Sequence, residues 1–132
     1  MKKYGLLLAM VLVMSATAWG GIASVCVPKC NCACEPVYAH VETCLPYDDC
    51  ELHCTNVCVR GNMVIVDMLY VCADGACGGA TCVDECVDLG EFCPGMYSVI
   101  VRINCACGCC ARPRICALGS TFFRVVPCLC QP

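Results

Sequence analysis

The sequence predicts a small disulfide-rich fold, mainly antiparallel β with one short helix over about residues 49–59. Three observations predict it. The chain carries 20 cysteines among 132 residues, far above the level that marks a disulfide scaffold. Cysteine recurs at two-residue spacing in Cys30-Asn31-Cys32-Ala33-Cys34, in Cys105-Ala106-Cys107-Gly108-Cys109 and in Cys128-Leu129-Cys130, and residues two apart share one face of an extended strand. The runs between cysteines are rich in Val, Ile, Phe and Tyr, which favour strands.

Residues 1–18 have the three parts of a secretory signal peptide: basic Lys2 and Lys3, an apolar run from Leu6 to Met14, and the small-residue ending Ala16-Thr17-Ala18. The apolar run is shorter than the roughly 20 residues that cross a bilayer. Cleavage after Ala18 is therefore expected, giving a secreted, extracellular chain with no membrane span. Every cysteine lies beyond the leader, and an oxidising destination favours bridges over thiols. An even count permits full pairing, but spacing cannot choose among the connectivities. Residues 19–132 form a single cysteine-rich domain, with 26–92 and 93–132 as two candidate small lobes.

Taken in order, Trp19–Val25 reads as a poorly ordered lead-in. Cys26 and the Cys30–Cys34 tract are a first staple region. Val37–Val41 is a brief strand bounded by Pro36 and Pro46. Between Asp48 and Arg60, Cys50, Cys54 and Cys58 recur every four residues, the spacing of one helix stripe. Asp48 or Asp49 would cap that helix and Gly61 would stop it. Cys82-Val83-Asp84-Glu85-Cys86 repeats the spacing, but Gly75, Gly78 and Gly79 around Cys77 favour a loop.

Three later segments share one form, a cysteine, a turn containing Gly, a β-rich run and a closing cysteine. They are Cys58–Cys72, Cys93–Cys105 and Cys116–Cys128. They are expected to supply the strands of one antiparallel sheet, because short connections cannot make parallel crossovers. At its centre lies Tyr97–Ile103, which runs into a hub of Cys105, Cys107, Cys109 and Cys110 and puts Tyr97, Val99, Val101 and Ile103 on one face. Cysteines two apart point the same way and are poorly placed to bond each other. Cys128 and Cys130 should therefore bond the 105–110 hub or the 30–34 tract.

Charge is sparse and sorted. All eleven acids lie between Glu35 and Glu91, where Arg60 is the only base, whereas Arg102, Arg112, Arg114 and Arg124 follow Cys93 without an acid. The formal net charge of −3 becomes −5 once Lys2 and Lys3 leave with the leader, which argues against nucleic acid as a partner. His40 and His53 are the only histidines. Cys54 beside His53 is expected to be bridged rather than a thiolate nucleophile, and Asp48, Asp49 and Glu51 match no calcium loop. No enzyme activity, cofactor or metal is expected. A thiolate metal cluster is the remaining chemical alternative, and it wants a reducing compartment.

Cys107-Gly108-Cys109-Cys110 and Cys128-Leu129-Cys130 together resemble, in outline, the cystine-knot growth factors of the platelet-derived and vascular endothelial type. That family has long finger loops where only eleven residues separate Cys116 from Cys128, so it is not adopted. The expected function is a secreted, non-enzymatic structural or self-assembling subunit of a coat, matrix, fibre or adhesive. Its partner would be itself or another extracellular protein, because 60% hydrophobic content leaves apolar strand faces that a small body cannot bury. Arg102, Arg112, Arg114 and Arg124 are the candidate self-association residues, meeting the acidic middle of the next copy head to tail as a filament. The alternative is a soluble effector, a toxin, inhibitor or defence protein displaying Ala111-Arg112-Pro113-Arg114.

Overall fold

A computed structural model describes residues 21–73, 77–107 and 112–128. The signal peptide, Cys109, Cys110 and Cys130 lie outside the described residues, as does the side chain of Cys77. The described residues form β1 (Gly21–Ile22), β2 (Ser24–Cys26), β3 (Cys30–Cys32), β4 (Val37–Tyr47), β5 (Cys50–Arg60), β6 (Met63–Cys72), β7 (Cys77–Gly90), β8 (Gly95–Ala106) and β9 (Arg114–Val126). The larger of two sheets has the order β1-β9-β8-β6-β5, with β3 also on β9, and the smaller has the order β2-β4-β7.

The bridged β architecture is as expected, but the helix over 49–59 is absent. Residues 50–60 are strand β5. A four-residue spacing is close to one helical turn, yet it is also a multiple of two and keeps residues on one strand face. Thr55, Val57 and Val59 between the cysteines are β-branched and favour the strand. A bulge at His53, between the pairs Leu52↔Tyr70 and Cys54↔Leu69, then turns Cys54 and Cys58 outwards. Cys50 stays inward, opposite Cys72. Asp48 and Asp49 belong to the β4–β5 turn, where Asp49 has φ 50°. Gly61, at φ 58°, opens the two-residue turn between β5 and β6, where a hairpin needs positive φ. Cys82–Cys86 is likewise strand, within β7.

Three further expectations are corrected. Two sheets replace the single antiparallel one, and β6 and β8 run parallel. Their connection is not short, since the chain crosses to the smaller sheet as β7 before returning. The lead-in is ordered from Gly21. Ala23 N–H donates to the Leu118 carbonyl at 2.9 Å, and Gly119 permits the approach, because a Cβ there would lie 2.2 Å from the Ala23 carbonyl oxygen. The strand at Val37 continues to Tyr47, passing Pro46 at a register shift, where a sheet tolerates proline. Strands from 26–92 and 93–132 share one sheet and one core.

Alternation sorts the faces. On β4, Val37, Ala39, Val41 and Leu45 are buried while Tyr38, His40, Glu42 and Cys44 are exposed. On β6 and β8, Val64, Val66, Met68 and Tyr70 lie beside Val99, Val101, Ile103 and Cys105 on the buried face. Full burial of each such aliphatic side chain contributes about 1.5–3 kcal/mol. Tyr70 reaches the one inward acid of β7, donating its hydroxyl to Glu85 at 3.4 Å. Burial and the nearby carboxylate push that phenol well above its ordinary value.

Three bridges pin the described residues. Cys44–Cys82 and Cys50–Cys72 join directly opposite residues of antiparallel strands, with Cα separations of 3.9 and 4.0 Å. Cys32–Cys128 ties β3 to the chain just past β9, so Cys128 bonds the 30–34 tract, one of its two expected destinations.

Candidate functional site

The buried faces account for one side of each strand, and the other side determines what the protein can meet. On the outer face of the larger sheet the alternation does not turn polar. Met63, Val71, Met96, Ile115 and Phe122 are 42% to 69% exposed, with Ile65, Leu69, Ile100 and Leu118 half-buried among them. At the centre, Arg102 holds Asp67 with both ends of its guanidinium, Nε to Oδ1 and Nη2 to Oδ2 at 2.7 Å each. The bond and charge of Asp67 raise the Arg102 pKa further. The pair is solvent-exposed and worth only about 0–1 kcal/mol, but it leaves the patch without a net charge at its centre.

The four candidate arginines therefore divide. Arg102 is engaged within its own chain, while Arg112, Arg114 and Arg124 are exposed and make no ion pair among the described residues. The acids near the turn have local work: the Asp48 carboxylate accepts the Ala80 N–H at 3.2 Å. His53 is exposed at the β5 bulge.

Strand β5 is an open edge. The larger sheet extends past the three-stranded one there, so Leu52 and Val59, inward by register, remain 37% and 48% exposed. The opposite edge is covered by the short strands β1 and β3. The long edge strand of the smaller sheet, β7, carries the outward Asp84 and Asp88, whose like charges repel a second copy. Among the described residues β5 has neither cover nor a run of like charge. Cys54 and Cys58 project from its outer face without a bridge. They stand about 13 Å apart along the strand, far beyond disulfide reach.

A second bulge, on β9 between the pairs Ile103↔Ala117 and Asn104↔Ile115, turns Cys116 inward beside Cys105. Both are buried. The hydrogen bond between the two sulfurs, aided by burial, pushes the Cys105 thiol far up, and the same bond holds Cys116 below its ordinary value. Under oxidising conditions this pair is expected to close as a further bridge. An unreduced digest would then contain a Cys105–Cys116 peptide; alkylation of both thiols in the denatured, unreduced protein would refute it.

On the outer face of the smaller sheet, His40, Glu42 and Asp84 bring their ligand atoms within 4.8 Å of one another. Sequence reading left His40 without a partner, because Asp84 is 44 residues away and only the β4–β7 register brings it across. The four-residue spacing of Cys54 and Cys58 fits a helix stripe and a strand face alike. The alternating Thr55, Val57 and Val59 were the signal for a strand.

Comparison with protein-family models, with curated proteins and with solved structures finds no match. Among the described residues no helix is long and apolar enough to cross a membrane.

Proposed function

We propose that this chain is an extracellular structural subunit that assembles with copies of itself through the open strand β5, in a coat, matrix, fibre or adhesive. The observation that carries the reading is the self-complementarity of β5. When it is laid antiparallel on a second copy about a two-fold axis at Asn56, its side chains match their own order reversed. Cys58 faces the partner's Cys54, Cys54 faces the partner's Cys58, and Val57 faces the partner's Thr55. Past the His53 bulge, Val59 faces the partner's Leu52 and Arg60 faces the partner's Glu51. Apolar meets apolar and opposite charges meet, which favours this register.

The molecule's own bridges Cys44–Cys82 and Cys50–Cys72 join directly opposite antiparallel residues in the same way. Two bridges then form across the axis. For each, two thiols lose two protons and pass two electrons to an external disulfide oxidant such as oxidised glutathione, which is reduced to two thiols. Edge pairing makes the larger sheet continuous across both copies and merges their apolar outer faces. Stacking of those faces is a second two-fold contact; where its axis does not meet the edge-pairing axis, the two contacts alternate without closing and give a filament, and where the axes intersect they give a closed dihedral assembly. Arg112, Arg114 and Arg124 bias the approach towards acidic neighbours, setting orientation and rate more than strength.

Size before and after reduction tests the reading. Under denaturing conditions the mature protein is expected to run as a dimer that collapses to monomer on reduction, with a Cys54–Cys58 cross-linked peptide in the unreduced digest, and under native conditions it is expected to form higher multiples of that dimer. Changing Cys54→Ser and Cys58→Ser together should remove the covalent link. Met96→Glu with Phe122→Glu should stop assembly at the edge-paired dimer. A mature protein that is monomeric by light scattering at low salt and high concentration, with no intermolecular bridge, would overturn it.

A further inference from the structure

We infer that the outer face of the smaller sheet binds a divalent transition metal of the zinc class through His40 and Glu42 of β4 and Asp84 and Cys86 of β7. This site is separate from strand β5 and does not depend on assembly.

The placement follows from alternation and register together. Even-numbered residues of both strands point outward, and the antiparallel pairing sets His40 opposite Cys86 and Glu42 opposite Asp84. Four ligand-type side chains thus stand at the corners of one block, about 5 Å across the strands and about 7 Å along them. The Cys44–Cys82 bridge lies two residues further along the same face. It holds the register, so the four cannot slide apart.

Three of the four already converge. His40 Nε2 touches the Asp84 carboxylate and lies 3.7 Å from Glu42 Oε1. Two carboxylates therefore meet at one imidazole, and neither has a Lys or Arg partner among the described residues. A dication would supply the charge this focus lacks.

Cys86 is exposed and unbridged, directly opposite His40. Directly opposed residues of antiparallel strands have Cα atoms about 4.5–5.5 Å apart, close enough for the thiolate and the imidazole to share one ion. The other thiol of this row, Cys26, lies on the far side of His40. Two strand spacings separate Cys26 from Cys86, about 10 Å, so β4 stands between them and they cannot bridge each other. An oxidising compartment therefore does not consume this thiol by internal pairing with Cys26. The donor set is one nitrogen, one sulfur and two oxygens. Imidazole and thiolate suit zinc and its neighbours, whereas calcium and magnesium take oxygen ligands alone.

The test uses the mature, oxidised protein titrated with Zn²⁺, and with Co²⁺ as a spectroscopic probe. One equivalent of Zn²⁺ per chain is expected, undisturbed by excess Ca²⁺. His40→Gln should weaken it by about tenfold or more, as loss of a ligand does. Bound Co²⁺ should show a sulfur-to-metal charge-transfer band that Cys86→Ser abolishes and Cys26→Ser leaves intact. The side chains are exposed, so far-UV circular dichroism should confirm that the variants are folded; if His40→Gln is not, Glu42→Gln provides the same reading. Absence of saturable zinc binding, or zinc affinity unchanged in a folded His40→Gln or Glu42→Gln variant, overturns the site. A charge-transfer band that survives Cys86→Ser overturns the assignment of the sulfur ligand.

Discussion

Replacing Cys32 and Cys128 together by serine is expected to destabilise the monomer by about 4 kcal/mol, a large part of what holds a domain of this size folded. The bridge spans 96 residues, and the stabilisation from a closed loop grows with the logarithm of its length. The other two bridges, spanning 38 and 22 residues, are nested inside it and shorten the effective loop, which lowers the figure from nearly 5. The local structure depends on the same bond. β3 pairs with β9 through only Cys30↔Arg124, Asn31↔Val125 and Cys32↔Val126. The Asn31 side chain adds hydrogen bonds to the Pro28 and Arg124 carbonyls at 2.6 and 3.3 Å. Without the bridge, this strand should leave β9 and uncover the edge that it protects. Denaturant unfolding of the oxidised double variant measures the loss. A value under about 1 kcal/mol would mean that the unfolded chain gains little freedom when the loop is opened.

Phe123→Ala is expected to cost about 3–5 kcal/mol, while Phe122→Ala, one residue earlier, should change stability by less than about 0.5 kcal/mol. The two rings lie on opposite faces of β9, Phe123 at 1% exposure and Phe122 at 69%. Phe123 stacks on Tyr97 with centroids 5.3 Å apart and meets Phe92 edge-on at 5.3 Å. Phe92 and Tyr97 are themselves 4.9 Å apart, and the Tyr97 hydroxyl is anchored on the Cys93 carbonyl at 2.6 Å. Removing the third ring leaves a cavity that the anchored pair cannot close. Chemical denaturation of both variants on a Cys54→Ser, Cys58→Ser background, at concentrations where the protein is monomeric, makes the comparison. Equal losses would show that the two faces of β9 are not distinguished as described.

Features with a two-residue period are legible in the sequence. The strands around Met63–Tyr70, Tyr97–Ile103 and Thr121–Val126 were legible, as was the buried face formed by Tyr97, Val99, Val101, Ile103 and Cys105. The reason is that a two-residue period is written into neighbouring residues and survives any tertiary arrangement. The destination of Cys128 was legible to within two tracts, because same-face geometry excluded bonding to its neighbour two residues away.

Tertiary structure decided what depends on distant partners. A four-residue cysteine spacing fits a helix and a strand alike, and only pairing with β6 settled Cys50–Arg60 as a strand. A single-residue bulge at His53 then chose which of its cysteines faced the core and which faced out. The parallel arrangement of β6 and β8 required β7 to cross into the other sheet, a step that no local period encodes. His40 and Asp84 meet for the same reason: sequence sets which way each side chain points on its own strand, and only register, held here by Cys44–Cys82, sets what stands opposite.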